Sequence, residues 1–272
     1  MINYLDKFRL DKKIAYIVGG LGLIGREVAC AFSQAGAKTI LLDLIKDHEV
    51  GCRNNKFQKE SDILFEHFDC ADMDMIEENF ESILERHHTP DIFINCSYPR
   101  TKDWSNNTFY DITIESFRKN VDIHMNSFVW LARQVAEAMT MRKKGGSIIQ
   151  ISSIYGMVGQ DLTVYEGTEL KENMSYSAIK GGIISFTKQM ASYYGQHKIR
   201  VNTICPGGLE GPVAGNSFVQ NPVFVKQYSK RTPLKRLGKP EEIATTALYL
   251  ASDAASYVSG ATIAVDGGWT SI

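Results

Sequence analysis

A chain of 272 residues with 44% hydrophobic and 22% charged side chains has an ordinary globular composition, with enough apolar surface for one large α/β domain spanning residues 1–272. The 30 Lys and Arg nearly cancel the 31 Asp and Glu, leaving a net charge of −1 that favours neither nucleic acid nor an anionic membrane, so any charged ligand must be met locally. No stretch approaches the ~20 apolar residues of a membrane span, and the cysteines (Cys30, Cys52, Cys70, Cys96, Cys205) lack CxxC spacing, so no disulfide framework or metal site is expected and reduced thiols in a cytoplasmic protein are the simple reading.

The first apolar, β-branched run, residues 14–18, predicts a strand, and it leads directly into Gly19-Gly20-Leu21-Gly22-Leu23-Ile24-Gly25 and a helix over 23–35. A glycine-rich turn between strand and helix lets backbone approach a pyrophosphate, while the helix N-terminus offers unpaired N–H groups. Such a loop is also a plain turn, and context decides. The next strand, 39–42, ends at Asp43, where a carboxylate can accept hydrogen bonds from an adenosine ribose. A 2′-phosphate there would meet negative charge, and Leu44 brings no compensating base, which favours NAD over NADP. A strand over 63–68 closes at Asp69, suited either to the adenine amino group or to capping its own loop.

A helix over 73–86 and a strand over 92–95 follow, then Asn95-Cys96-Ser97-Tyr98-Pro99-Arg100 and a long helix over 114–142. Strand 147–152 ends beside Ser153, and a polar segment over 159–171 separates it from a helix over 175–194 that begins with Tyr176-Ser-Ala-Ile-Lys180. The i, i+4 spacing places Tyr176 and Lys180 on one helical face, about 5–6 Å apart at Cβ. An ammonium at that range is expected to lower the phenol pKa from ~10, each unit corresponding to ~1.4 kcal/mol, and so to suit it to acid–base work. Strand 200–204, helices 222–230 and 241–251 and strand 262–265 complete the pattern. Strands alternating with amphipathic helices predict a Rossmann-type, doubly wound, seven-stranded parallel sheet with helices on both faces.

The Tyr-x-x-x-Lys element, Ser153-Ile-Tyr155-Gly156, Asn202-Thr-Ile-Cys-Pro206-Gly207 and the terminal Asp266-Gly267-Gly268-Trp269 occur in an order that resembles the short-chain dehydrogenase/reductase family. The resemblance implies an NAD(P)-dependent oxidoreductase in which Tyr176 exchanges the proton at the substrate oxygen, Ser153 orients that oxygen and Lys180 binds the nicotinamide ribose. It implies cofactor contacts from Gly19, Gly22, Leu23, Ile24, Gly25, Asp43, Asp69, Asn95, Tyr176, Lys180, Pro206 and Gly207. Such proteins form homodimers or homotetramers.

Three departures from the family pattern bear on specificity. His124 stands where an Asn usually supports a proton relay, a task an imidazole can also perform, with Asn120 one turn earlier on the same face; a helix histidine satisfied by backbone is the alternative. Tyr98 and Pro99 replace small residues beside the nicotinamide and bring Arg100 and Lys102 to the pocket mouth, as an anion clamp or as solvated loop charges. The segment 159–171 is longer than usual, and Tyr155, Tyr165, Glu166 and Lys171 are candidates for substrate contact or for subunit contact. Asn-Cys-Ser-Tyr-Pro-Arg and Ser-Ser-Ile-Tyr-Gly resemble a subgroup linked to flagellin modification and nonulosonic sugar synthesis, implying a phosphorylated or acidic sugar. A 3-oxoacyl-carrier-protein reductase, an NAD-retaining sugar dehydratase or epimerase, and a non-catalytic cofactor-binding sensor remain as alternatives.

Overall fold

The computed structural model describes residues 2–44, 63–212 and 220–272. Cys52 lies outside these residues, and the other four cysteines are free thiols. Seven strands, β1 (Ile14–Val18), β2 (Lys38–Asp43), β3 (Ile63–His67), β4 (Ile92–Asn95), β5 (Gly146–Ile151), β6 (Ile199–Pro206) and β7 (Thr262–Val265), form one parallel sheet in the order β3-β2-β1-β4-β5-β6-β7. The described helices are α1 (Gly25–Gln34), α2 (Ile76–His87), α3 (Ile114–Asn120), α4 (Ser127–Arg142), α5 (Met174–Tyr194), α6 (Pro222–Arg231) and α7 (Pro240–Ala251). None is long and apolar enough to cross a membrane.

Both faces of the sheet are apolar because helices cover both, which is why the strands read as continuous rather than alternating hydrophobic runs. Ala15, Ile17, Leu41, Ile94 and Ile149 face Val28, Phe32, Ile243, Ala247 and Leu250 of α1 and α7. Tyr16, Val18, Ile40, Phe93 and Ile148 face Phe80, Leu131, Val135 and Met190 of α2, α4 and α5. Fully burying one such side chain contributes about 1.5–3 kcal/mol. Phe80 sits at the centre of the second layer, its ring edge-on to Tyr16, Phe68 and Phe93.

The chain departs from β1 to β2 on one side and later crosses to β4 on the other, so the β1/β4 boundary is the switch point where a crevice opens at the strands' carboxyl ends. Two local features differ from the periodicity. The long helix predicted over 114–142 is interrupted by a π-helical turn, Val121–Asn126, whose extra residue buries both Ile123 and His124. Strand β6 runs on to Pro206 because Cys205 and Pro206 still pair with Ala264 and Val265.

Candidate active site

One cleft of about 1250 Å³ follows the carboxyl ends of the strands, from Asp43 and Asp69 past Gly19, Gly22, Leu23 and Ile24 to Ser153, Tyr176 and Lys180. Gly19 has φ 71°, and a Cβ there would lie 2.7 Å from Ser97 Cα, so only glycine lets β4's loop come this close. Asp43 Oδ2 accepts the Leu21 N–H at 2.9 Å, so the carboxylate that closes β2 also shapes the glycine turn. Asp69 lines the same end while its Oδ1 caps its own loop at the Ala71 N–H, 2.8 Å away. Asn95 and Gly25 stand behind the cleft wall: Asn95 Oδ1 accepts from Ser97 N–H and Oγ at 3.0 and 2.7 Å, and a Cβ on Gly25 would collide with the Gly19 carbonyl. Pro206, the last residue of β6, and Gly207 line the cleft floor. A continuous crevice with glycine backbone at a helix N-terminus and a carboxylate at one end fits a dinucleotide.

The reactive end is assembled on α5. Asn173 caps this helix, its Oδ1 accepting the Tyr176 N–H at 3.0 Å while its Nδ2 donates to the Trp104 carbonyl at 2.7 Å. Lys180, one turn beyond Tyr176, donates from Nζ to the Ile151 carbonyl at 3.1 Å, and Ser152 Oγ donates to the Lys180 carbonyl at 2.8 Å. A Cβ on Gly156 would lie 2.7 Å from the Lys180 carbonyl carbon, so this glycine allows the Ser153 turn to pack against α5. Ser153 stands beside the Tyr176 phenol, and its Oγ accepts the Tyr155 N–H at 3.1 Å.

Electrostatics here correct one expectation. Helical spacing predicts that Lys180 lowers the phenol, yet burial pushes Tyr176 up to about 12, opposed only by the Ser153 hydrogen bond. The cause is shared desolvation: burial also drives the Lys180 ammonium down to about 7, with the Cys205 and Cys96 thiols acting the other way. An ammonium that is itself destabilised lends little help to a neighbouring phenolate. Lys180 Nζ instead sits among rings, 5.1 Å from the Phe128 centroid, 5.7 Å from Tyr176 and 5.9 Å from Tyr98.

His124 occupies the wall behind these groups. Its ring is edge-on to Tyr98 at 5.4 Å and tilted against Phe128 at 5.5 Å and Trp104 at 6.2 Å. It is fully buried, neither ring nitrogen has a hydrogen-bond partner, and burial followed by the nearby Lys180 charge holds it well below its usual pKa. The backbone-satisfied alternative therefore does not describe it. Asn120 does not share its position: the Asn120 amide clamps the loop after β4, accepting the Thr101 N–H at 3.0 Å and donating to Thr101 Oγ1 at 2.8 Å and the Ser116 carbonyl at 2.9 Å.

Tyr98, Arg100, Tyr155, Tyr165 and Lys171 all line the far end of the cleft, with Gln160, Trp104 and Phe224. The Arg100 guanidinium also lies 5.4 Å over the Tyr98 ring. Glu166 is not brought there; its side chain is exposed, and its backbone carbonyl accepts from Gln227 Nε2 at 2.6 Å. Asn173, Trp104 and Phe224 join the site without having been expected from sequence. Asn173 carries a legible signal, a capping residue three positions before Tyr176; Trp104 and Phe224 arrive from distant elements and carry none.

Comparison with known proteins agrees with this architecture. Residues 22–270 match a family model described as enoyl-(acyl carrier protein) reductase. Post-translational flagellin modification protein A of Campylobacter coli is 29% identical, covering 96% of this chain and 99% of that protein. A short-chain dehydrogenase from Leptospira borgpetersenii with bound NAD+ superposes with a TM-score of 0.82 at 30% identity, covering 99% of this chain and 96% of the other. A gluconate 5-dehydrogenase from Burkholderia cenocepacia in complex with NADP and tartrate superposes at 0.84 with 26% identity, covering 99% of this chain and 100% of the other. With this fold, this motif order and these relatives, the chain belongs to the short-chain dehydrogenase/reductase family of oxidoreductases.

Proposed function

We propose that this oxidoreductase uses NAD(H) to interconvert a hydroxyl and a carbonyl on a small acidic or phosphorylated sugar. The observation that carries the substrate class is the distribution of charge along the cleft. Of its charged lining residues, Arg26, Asp43 and Asp69 stand at the end built by α1, β2 and β3, and Lys180 stands at the centre. Arg100 and Lys171 are the two at the substrate end, where the other lining groups are rings, Gln160 and Asn173. Lys171 makes a long, exposed ion pair with Asp111 at 3.8 Å, which a ligand anion can displace at small loss. Rings with hydroxyls suit a sugar face, and two cations set among them suit an anion. Similarity to a gluconate 5-dehydrogenase supports the same reading.

The nicotinamide, when bound, supplies or accepts the hydride. The chain's own residues handle the proton and the geometry. In reduction, the Tyr176 hydroxyl, a neutral phenol that burial makes still harder to ionise, is the acid that donates to the developing alkoxide; Ser153 holds that oxygen in line. In oxidation the same phenol takes the proton back from the substrate hydroxyl. Lys180 holds the cofactor ribose, and His124 relays protons behind it as a neutral imidazole. Asp43 holds the adenosine ribose hydroxyls and disfavours a 2′-phosphate, with Leu44 adding no cation.

A panel of sugar acids, sugar phosphates, neutral sugars and acyl thioesters, assayed with NADH and NADPH, tests this reading. Anionic sugars are expected to exceed matched neutral ones by about tenfold or more in kcat/KM, equivalent to ~1.4 kcal/mol, with NADH preferred. Equal rates on neutral sugars, or a preference for acyl thioesters, would contradict it.

A further inference from the structure

Helix α6 grips the inserted segment along one of its faces. Phe224, Gln227 and Arg231 stand at i, i+3 and i+7. The Phe224 ring stacks on Tyr165 with centroids 6.0 Å apart and planes within 8°. Gln227 Nε2 donates to the Glu166 carbonyl at 2.6 Å, and Arg231 Nε donates to Asp161 Oδ2 at 3.2 Å. Asp161 in turn caps the 3₁₀ turn Leu162–Tyr165, its Oδ1 accepting from the Thr163 N–H at 3.1 Å and hydroxyl at 2.7 Å. One carboxylate thus shapes the turn that carries Tyr165 and ties it to the helix.

Arg231 extends the tie inward. Its guanidinium lies 5.0 Å over the buried Trp269 ring and donates to the Ile272 carbonyl at 3.1 Å. Trp269 stacks on Tyr228 at 4.2 Å, and the Tyr228 hydroxyl accepts the Gly208 N–H at 2.6 Å on the cleft floor. An isolated exposed ion pair contributes little. This one is half-buried, lies over an indole ring and is continuous with a helix cap, so its loss reaches further.

We propose that Arg231 is a positioning residue for substrate selectivity: through Asp161 it fixes the turn bearing Tyr165, so that the inserted segment and α6 form one preassembled wall of the substrate pocket. This rests on the substrate end being where the proposed function puts it. Arg231 touches neither Ser153 nor Tyr176, so the effect falls on substrate binding.

Arg231→Gln, Asp161→Asn, their double variant and Arg231→Lys form the test. Each single variant is expected to raise KM about tenfold while kcat changes by less than about threefold and NADH affinity holds, the double variant being no worse than either single. Arg231→Lys, which keeps the charge but not the guanidinium's forked donors, should recover part of the loss. Unchanged KM, or additive losses in the double variant, overturns the proposal. Hydrogen exchange tests the clasp without any substrate. Amides 162–166 should exchange about tenfold faster in Arg231→Gln, with β5 and β6 amides unaffected, whereas equal exchange overturns the clasp. If the wild type turns over nothing in the sugar panel, the proposed function fails, and exchange still decides the clasp.

Discussion

Lys180 is held where an ammonium is least comfortable: fully enclosed, among three rings, with one carbonyl acceptor at 3.1 Å. Its folded pKa of about 7 lies below the ordinary 10.5, so between those values the unfolded chain binds more protons than the folded one. Stability of the cofactor-free protein therefore rises as pH climbs from 7 toward 10.5, and the full penalty is present below that window. Lys180→Met, similar in length and uncharged, is expected to raise the thermal midpoint at pH 7, each kcal/mol being worth roughly 2–4 °C. Its advantage should shrink toward pH 10, and a difference that ignores pH would contradict a buried, destabilised ammonium. The pairing of Tyr176 with Lys180 is legible in the sequence because helical spacing alone brings them together. The sign of their mutual influence is not, since desolvation depends on rings supplied by Tyr98 and Phe128 from distant elements.

At the scale of elements, the π turn Val121–Asn126 explains how a histidine comes to face the reactive centre. A regular helix through 114–142, which the periodicity supports, hides the extra residue; nothing in the local pattern, neither Pro nor Gly, marks it. Two buried ring nitrogens without a protein hydrogen-bond partner reduce stability unless they serve a purpose. His124→Phe preserves the aromatic packing against Tyr98, Trp104 and Phe128 and removes both nitrogens. It should leave the thermal midpoint equal or higher while lowering turnover about tenfold or more. Unchanged turnover would reduce His124 to a space-filling ring. Strand and helix order, by contrast, is readable almost throughout, because buried parallel strands such as Ile14–Val18 read as continuous apolar runs and α1 and α5 must present stripes to them.

Across the whole molecule, the parallel sheet gathers residues far apart in sequence along one edge: Asp43 at the end of β2, Gly19 after β1, Ser153 after β5, Pro206 at the end of β6. Short motifs are therefore enough to outline the cofactor side of the cleft. The substrate side is harder to read, because the loop after β4, the inserted segment and α6 meet only in three dimensions, and Glu166 turns outward while Phe224 turns in. In the proposed function both sides serve one reaction, in which a dinucleotide delivers two electrons while Tyr176 delivers the proton.

Single-turnover oxidation of bound NADH by Tyr176→Phe, compared with wild type, tests that division of labour most directly. NADH affinity is expected within about threefold of wild type, with hydride transfer slower by about 10²–10⁴. Hydride transfer at the wild-type rate in Tyr176→Phe would contradict it.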